Sequence, residues 1–283
     1  MIERSVTVCA GDGVCARCAS GPAERGKTRF PNDTWLEEAI SRETLFSVFQ
    51  PIVGLADKRV FAYEALLRAR HPETGAMIGA GDIFAACQRL GIPHVIDRAA
   101  RLTSIRCAAE LEFSTTEAPQ FFVNFLPNAI YDPEVCLRTT VEAIAQTDLQ
   151  PSQFVFEVVE TEQIPDLARL AAILNYYRKQ GVRTAVDDMG AGFTSRDYIS
   201  ALRPDYVKID RDALLAAESS LSARADFADL VRTAHHYGSA VIIEGVENVA
   251  QLALGRHAGA DYAQGFLFAR PASPPQSVDW SAF

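Results

Sequence analysis

Val60-Phe-Ala-Tyr-Glu-Ala-Leu-Leu67 is an apolar, strand-like run that carries one carboxylate, Glu64, and leads into Arg68. Another apolar run, residues 47–53, lies just before it, and a short Gly-Leu-Ala-Asp-Lys connection joins the two. So short a link fits an antiparallel hairpin, because a parallel crossover needs a dozen or more residues. Beyond the hairpin, helical patterns cover 81–90, 96–110, 134–146, 165–180, 195–202, 213–237 and 249–257. Between them lie six further strand-like runs, at 121–125, 154–160, 184–188, 206–210, 240–247 and 262–268. Eight strands with β/α alternation predict an α/β fold, a modified TIM (β/α)8 barrel whose first strand runs antiparallel to the second.

A helical pattern at 35–40, with Asp33 or Thr34 as its N-cap, opens the regular part of the chain. Residues 1–30 are rich in Gly, Ala, Ser and Cys and hold no sustained period, so they read as a separate segment before a barrel over 31–283. Cys9, Cys15 and Cys18 stand there in a Cys-x5-Cys-x2-Cys spacing. Two readings stay open for them: free thiols on a flexible tail, or a zinc or iron–sulfur site that takes a fourth ligand from elsewhere. Cys87, Cys107 and Cys136 fall in apolar helical patterns and read as inert, buried thiols.

The 283 residues are 48% hydrophobic and 22% charged, an ordinary globular composition. A net charge of −9 argues against a nucleic-acid polymer as partner. It leaves room for a small phosphate ligand, because carboxylates hold divalent cations and those cations attract phosphate. No apolar run approaches the ~20 residues that span a bilayer, and no secretion signal is visible, so a cytoplasmic protein with no membrane partner is expected.

The strand-like runs share one property: each of the last seven carries polar groups. Glu64, Asn124, Glu157 and Asp187 fall near strand C-termini, where barrels of this type build their sites. Three carboxylates and an amide oxygen are hard ligands suited to Mg²⁺ or Mn²⁺. Asp188 follows Asp187, so two ions held side by side are expected, the arrangement that cleaves phosphoesters. Lys208 is suited to orient the attacking water or to neutralise developing charge, and Glu244 to act as general base.

Eight ordered motifs resemble the EAL-domain phosphodiesterases that cleave cyclic di-GMP. They are Phe49-Gln-Pro-Ile52, Glu64-Ala-Leu-Leu-Arg68, Val123-Asn124, Glu157-Val-Val-Glu160, Asp187-Asp-Met-Gly190, Lys208-Ile-Asp210, Glu244-Gly-Val-Glu247 and Gln264-Gly-Phe-Leu267. The resemblance implies hydrolysis of cyclic di-GMP to linear pGpG. It implies a first metal on Glu64, Asn124, Glu157 and Asp187, and a second helped by Asp188. It makes Glu244 the base and Lys208 the contact to the nucleophilic water. Gln50, Leu67, Arg68, Asp210, Glu247 and Gln264 become substrate contacts or neighbours, and Glu160 the prop for the loop after Asp188. It also implies a homodimer. The alternative on the same scaffold is a catalytically weak or inactive receptor or interaction module. The loop at 189–197 departs from the family pattern, with Met189 in an aromatic position and Ala191 in place of a hydroxyl.

Overall fold

The computed structural model describes residues 33–111, 119–158, 166–190, 193–278 and 280. Cys9, Cys15, Cys18 and Glu160 lie outside the described residues. The first helix, α1 (Thr34–Ser41), leads into β1 (Leu45–Gly54) and β2 (Val60–Arg70). These two form the expected hairpin, with Gln50 opposite Glu64 in antiparallel register. Its turn closes through the Gly54 amide on the Arg59 carbonyl, with Lys58 at φ +50°. A two-residue strand, β3 (Met77–Ile78), adds to the far end of β2.

The alternation then begins. In order come α2 (Ala80–Leu90), α3 (Pro93–Ala109), β4 (Gln120–Phe125), α4 (Pro133–Cys136), α5 (Arg138–Ala145) and β5 (Phe154–Val158). They are followed by α6 (Leu167–Lys179), β6 (Arg183–Met189), α7 (Phe193–Leu202), β7 (Tyr206–Ile209), α8 (Arg211–Ser219) and α9 (Leu221–His236). The last are β8 (Ala240–Ile243), α10 (Val249–Ala258) and β9 (Tyr262–Gln264). Strands β2, β4, β5, β6, β7, β8 and β9 run parallel to one another, and β1 closes the ring by pairing antiparallel with both β2 and β9. The closed eight-stranded barrel and its reversed first strand are as the sequence predicts.

Two helical stretches differ from expectation. The stretch at 213–237 is two helices, because Ser220 is extended (φ −139°, ψ 130°) and its hydroxyl accepts from the Ala223 amide as an N-cap. The stretch at 134–146 divides at Leu137. At α1, Asp33 is the N-cap residue, but its carboxylate binds Arg89 rather than the helix amides.

The barrel interior explains where a site can form. Ile52, Ala62, Phe122, Val155, Ala185, Tyr206 and Ile242 form one apolar layer across it, and Tyr262 packs against that layer. Side chains repeat every second residue along a strand. One step further toward the C-terminal rim stand Glu64, Asn124, Glu157, Asp187, Lys208, Glu244 and Gln264. On the reversed strand β1 the same step runs backwards, from Ile52 to Gln50. All eight strands thus place a polar residue in one layer directly above an apolar floor. The larger core lies outside the barrel, between strands and helices, and includes Phe121, Phe154, Phe156, Tyr177, Phe227 and Leu230.

Candidate active site

Above the apolar floor the polar layer surrounds a cleft of about 540 Å³. Gln50, Glu64, Asp187, Asp188, Lys208, Asp210, Glu244, Glu247 and Gln264 all line it. Glu157 sits deeper, and Asn124 is partly buried beside Glu64. Glu157 is wholly buried and reaches Lys208 at 2.7 Å. The Asn124 amide donates to Glu64 Oε1 at 3.1 Å.

Lys208 is the hub, with only 1% of its side chain exposed. Its Nζ lies 2.6 Å from Glu244 and 2.7 Å from Glu157. Asp187 and Glu64 follow at 3.4 and 3.6 Å. Gln264 donates to Glu64 Oε2 at 2.6 Å and to Gln50 Oε1 at 3.2 Å, which locks the β9 edge to the hairpin.

Asp188 departs from the two-residue rhythm. The β6–β7 register shifts between Val186 and Met189, and Asp188 takes φ +54°. A bulge re-aims a side chain, and Asp tolerates the left-handed region better than most residues. The neighbours Asp187 and Asp188 therefore reach the same cleft. With Glu244 they offer ligand oxygens within 4.8 Å of one another, a spacing that fits a metal ion.

Electrostatics follow from crowding. Glu64, Glu157, Asp187, Asp188 and Glu244 surround one ammonium, an excess of four negative charges when all are ionised. Burial, and after it the Asp187 charge, pushes Glu157 and Glu244 well above the usual carboxylate range. The same causes raise Asp188 to about 6. Burial is the largest influence on Asp187 and works against its ionisation, but the Lys208 charge and the hydrogen bonds from Glu157, the Asp188 amide and Lys208 together outweigh it and hold that carboxyl below its ordinary value. Burial disfavours the charge on Lys208, yet its carboxylate neighbours keep it well above a usual lysine.

These residues fit divalent cations. Glu157 Oε2 is buried and receives no hydrogen bond among the described residues. Buried anions in such excess are costly without protons or metal to balance them. Protons and cations compete for the same oxygens. The rise in melting temperature caused by Mn²⁺ is therefore expected to grow as pH climbs through about 6. Thermal melts with and without Mn²⁺ at about pH 5 and about pH 7.5 check this. A gap that stays constant or narrows would contradict it.

The remaining expected residues divide. Asp210 lines the cleft and also caps α8, accepting from the Ala213 amide at 2.6 Å. Glu247 pairs with Arg211 at 3.0 Å. Arg68 is half-buried and donates to the Leu67 carbonyl at 2.8 Å. Leu67 itself is buried, and strand alternation turns it away from Glu64's face. Leu66, two residues after Glu64, lines the cleft in its stead. The sequence reading also missed Arg211, Asp212 and Phe266, which complete the wall. For Leu66 and Phe266 the two-residue step beyond Glu64 and Gln264 is the signal that finds them.

Two glycines hold the β8 and β9 loops together. Gly245 has φ +63°, and a Cβ there would stand 2.6 Å from the Arg211 stem. A Cβ on Gly265 would fall into the backbone of Val246. Val246 receives the Gly265 side of the loop closely: its amide donates to the Gln264 carbonyl, and its carbonyl accepts from the Leu267 amide, both at 3.0 Å. Gly265→Ala is expected to cost about 1–3 kcal/mol, the usual penalty for overpacking. Denaturant unfolding measures it, and an unchanged midpoint would show that the loops can part freely.

A family model for the EAL domain matches residues 33–271. The chain belongs to the EAL domain family. The cyclic di-GMP phosphodiesterase NbdA of Pseudomonas aeruginosa is 27% identical over 236 residues. That match covers 83% of this chain but only 30% of that protein's length. A standalone EAL protein from Vibrio cholerae, solved in its c-di-GMP bound form, is 29% identical with a TM-score of 0.71. The match covers 83% of this chain and 95% of that one. The manganese/cy-diGMP complex of BlrP1 from Klebsiella pneumoniae is 28% identical with a TM-score of 0.71, over 81% of this chain and 56% of that one. Among the described residues no helix is long and apolar enough to cross a membrane.

Proposed function

We propose that this chain hydrolyses one phosphodiester bond of cyclic di-GMP, releasing linear 5'-pGpG with the help of two Mg²⁺ or Mn²⁺ ions. One observation carries the reading: Glu64, Glu157, Asp187 and Glu244 converge on Lys208, Asn124 binds Glu64 in the same layer, and Asp188 offers an oxygen beside Asp187 and Glu244. Glu64, Asn124, Glu157 and Asp187 would hold one ion, and Asp188 would help to hold the second. When bound, such ions supply an activated water and stabilise the leaving oxygen.

The chain's own groups do the rest. Glu244 accepts the proton of the attacking water: burial raises its pKa and so its basicity, while Lys208 at 2.6 Å favours the ionised form that a base must start from. Lys208 orients that water and balances charge on the phosphoryl oxygens. Arg68 and Gln50 meet the substrate from the hairpin, and Gln264 meets it from β9. Asp210 and Glu247 shape the opposite wall, where they already bind the α8 amides and Arg211. Glu160 would support the loop after Asp188. The family resemblance supports a homodimer. It does not reach Cys9, Cys15 and Cys18, for which free thiols and a zinc or iron–sulfur site both stay open. Metal analysis of the purified protein against Cys15→Ser tests that site.

The test of the activity is incubation with cyclic di-GMP and Mn²⁺ or Mg²⁺, followed by chromatography. Appearance of pGpG is expected. Substrate that is retained but intact would instead establish a receptor.

A further inference from the structure

Behind the rim of β4 lies a buried ion pair that no part of the catalytic reading uses. Asp97 and Arg101, one turn apart on α3, are each only 2% exposed. Arg101 grips Asp97 Oδ2 twice, through Nε at 3.0 Å and Nη2 at 2.8 Å. Its Nη1 donates to the Thr140 hydroxyl on α5. The other oxygen of Asp97 accepts from the Leu126 amide at 2.7 Å.

Leu126 is the first residue beyond β4, two after Asn124. The β4–β5 ladder ends one residue earlier, at the Phe125–Val158 pair. Asp97 thus supplies the acceptor that the sheet no longer provides. Tyr177 of α6 lies against the same two strand ends: it stacks on Phe156 (4.2 Å, 2° between planes) and meets Phe125 edge-on (5.6 Å). Phe125 and Phe156 are the chain neighbours of Asn124 and Glu157.

A buried ion pair is poor value as a stabiliser, since an apolar pair of similar volume often serves as well or better. What an apolar pair cannot do is accept a backbone amide. We infer that Asp97 is a positioning residue: through the Leu126 amide it fixes the end of β4, and with it the placement of Asn124 beside Glu64 and Glu157. This rests on the proposed metal site. Supporting residues around metal ligands typically contribute ten- to a hundredfold in affinity.

Two variants separate position from stability. Asp97→Asn keeps an acceptor for Leu126 but leaves Arg101 without its counter-charge. The double variant Asp97→Leu/Arg101→Met removes both charges together with the acceptor. Mn²⁺ affinity by calorimetry, melting temperature and amide exchange at 124–126 are measured on all three proteins. Asp97→Asn is expected to melt lower yet bind Mn²⁺ within about threefold of wild type. The double variant is expected to melt within about 3 °C of wild type, to bind Mn²⁺ about tenfold more weakly, and to exchange faster at 124–126. Affinity that falls in step with melting temperature across both variants overturns the inference, as does a double variant with unchanged affinity and exchange. A double variant too unstable to purify also counts against it, because the pair is then structural. Should wild type itself take up no Mn²⁺, the functional reading fails, and the amide exchange alone still decides the positioning.

Discussion

Glu64→Ala is expected to lower turnover of cyclic di-GMP by at least about 10³-fold, or about 4 kcal/mol at 1.36 kcal/mol per decade. Glu64 is the point where the hairpin joins the rest of the site. One carboxylate oxygen accepts from Asn124 and the other from Gln264, with Lys208 3.6 Å from the second. Removing it deletes a proposed metal ligand, takes away the acceptor of Asn124 and leaves Gln264 with Gln50 alone. The fold itself should survive, because the variant relieves a cluster that already holds four more carboxylates than ammonium groups. The expected signature is therefore lost activity at saturating Mn²⁺ together with an intact thermal transition in the metal-free protein. Near-normal rates would remove Glu64 from the metal set, and a collapsed transition would make its role structural. Glu64→Gln adds a second reading. It restores an acceptor for one amide while removing the charge, so it should recover stability if any is lost but not turnover.

Much of this site was legible because barrel strands impose a two-residue rhythm. Once the hairpin sets β1 and β2, an apolar residue followed two places later by a polar one recurs on each of the seven parallel strands, from Ala62 and Glu64 to Tyr262 and Gln264, and in reverse on β1. The eight-stranded ring follows from the same alternation. Other features do not follow from local pattern. The bulge that turns Asp188 into the cleft depends on the β6–β7 register, a long-range pairing. Arg211 lines the cleft only because Gly245, 34 positions away, makes room for its stem. The Asp97–Arg101 pair looks in sequence like any helical i,i+4 pair on a solvated face, and only packing reveals that it is buried. The break at Ser220 was readable in principle, since a serine three residues before an amide it can cap is a helix-start signal, but the apolar period runs across it.

Lys208→Met should be the most destabilising of the single changes for the metal-free protein, and the dependence on pH gives its cause. Removing one partner of a buried ion pair costs about 3–5 kcal/mol, because the other charge stays behind. Here the charges left behind include Glu157, which has no exposed surface, and Glu244, whose nearest cation is Lys208 at 2.6 Å. Both carboxyls already sit well above their usual range, by burial first and then by the Asp187 charge, even with the lysine present. Without it they rise further. A carboxyl with a raised folded-state pKa binds more protons folded than unfolded, so its contribution to stability falls as pH rises from the unfolded carboxylate value through the folded one. The deficit of Lys208→Met relative to wild type should hence be largest at about pH 8 and shrink toward about pH 5. Mn²⁺ should restore part of the lost stability, since a divalent ion replaces the missing charge, yet hydrolysis should stay absent if Lys208 orients the water as proposed. Chemical denaturation at both pH values, with and without Mn²⁺, checks the first two statements, and chromatography for pGpG checks the third. A deficit independent of pH would mean that Lys208 stabilises through packing of its stem, and restored hydrolysis with Mn²⁺ would take Lys208 out of the chemistry.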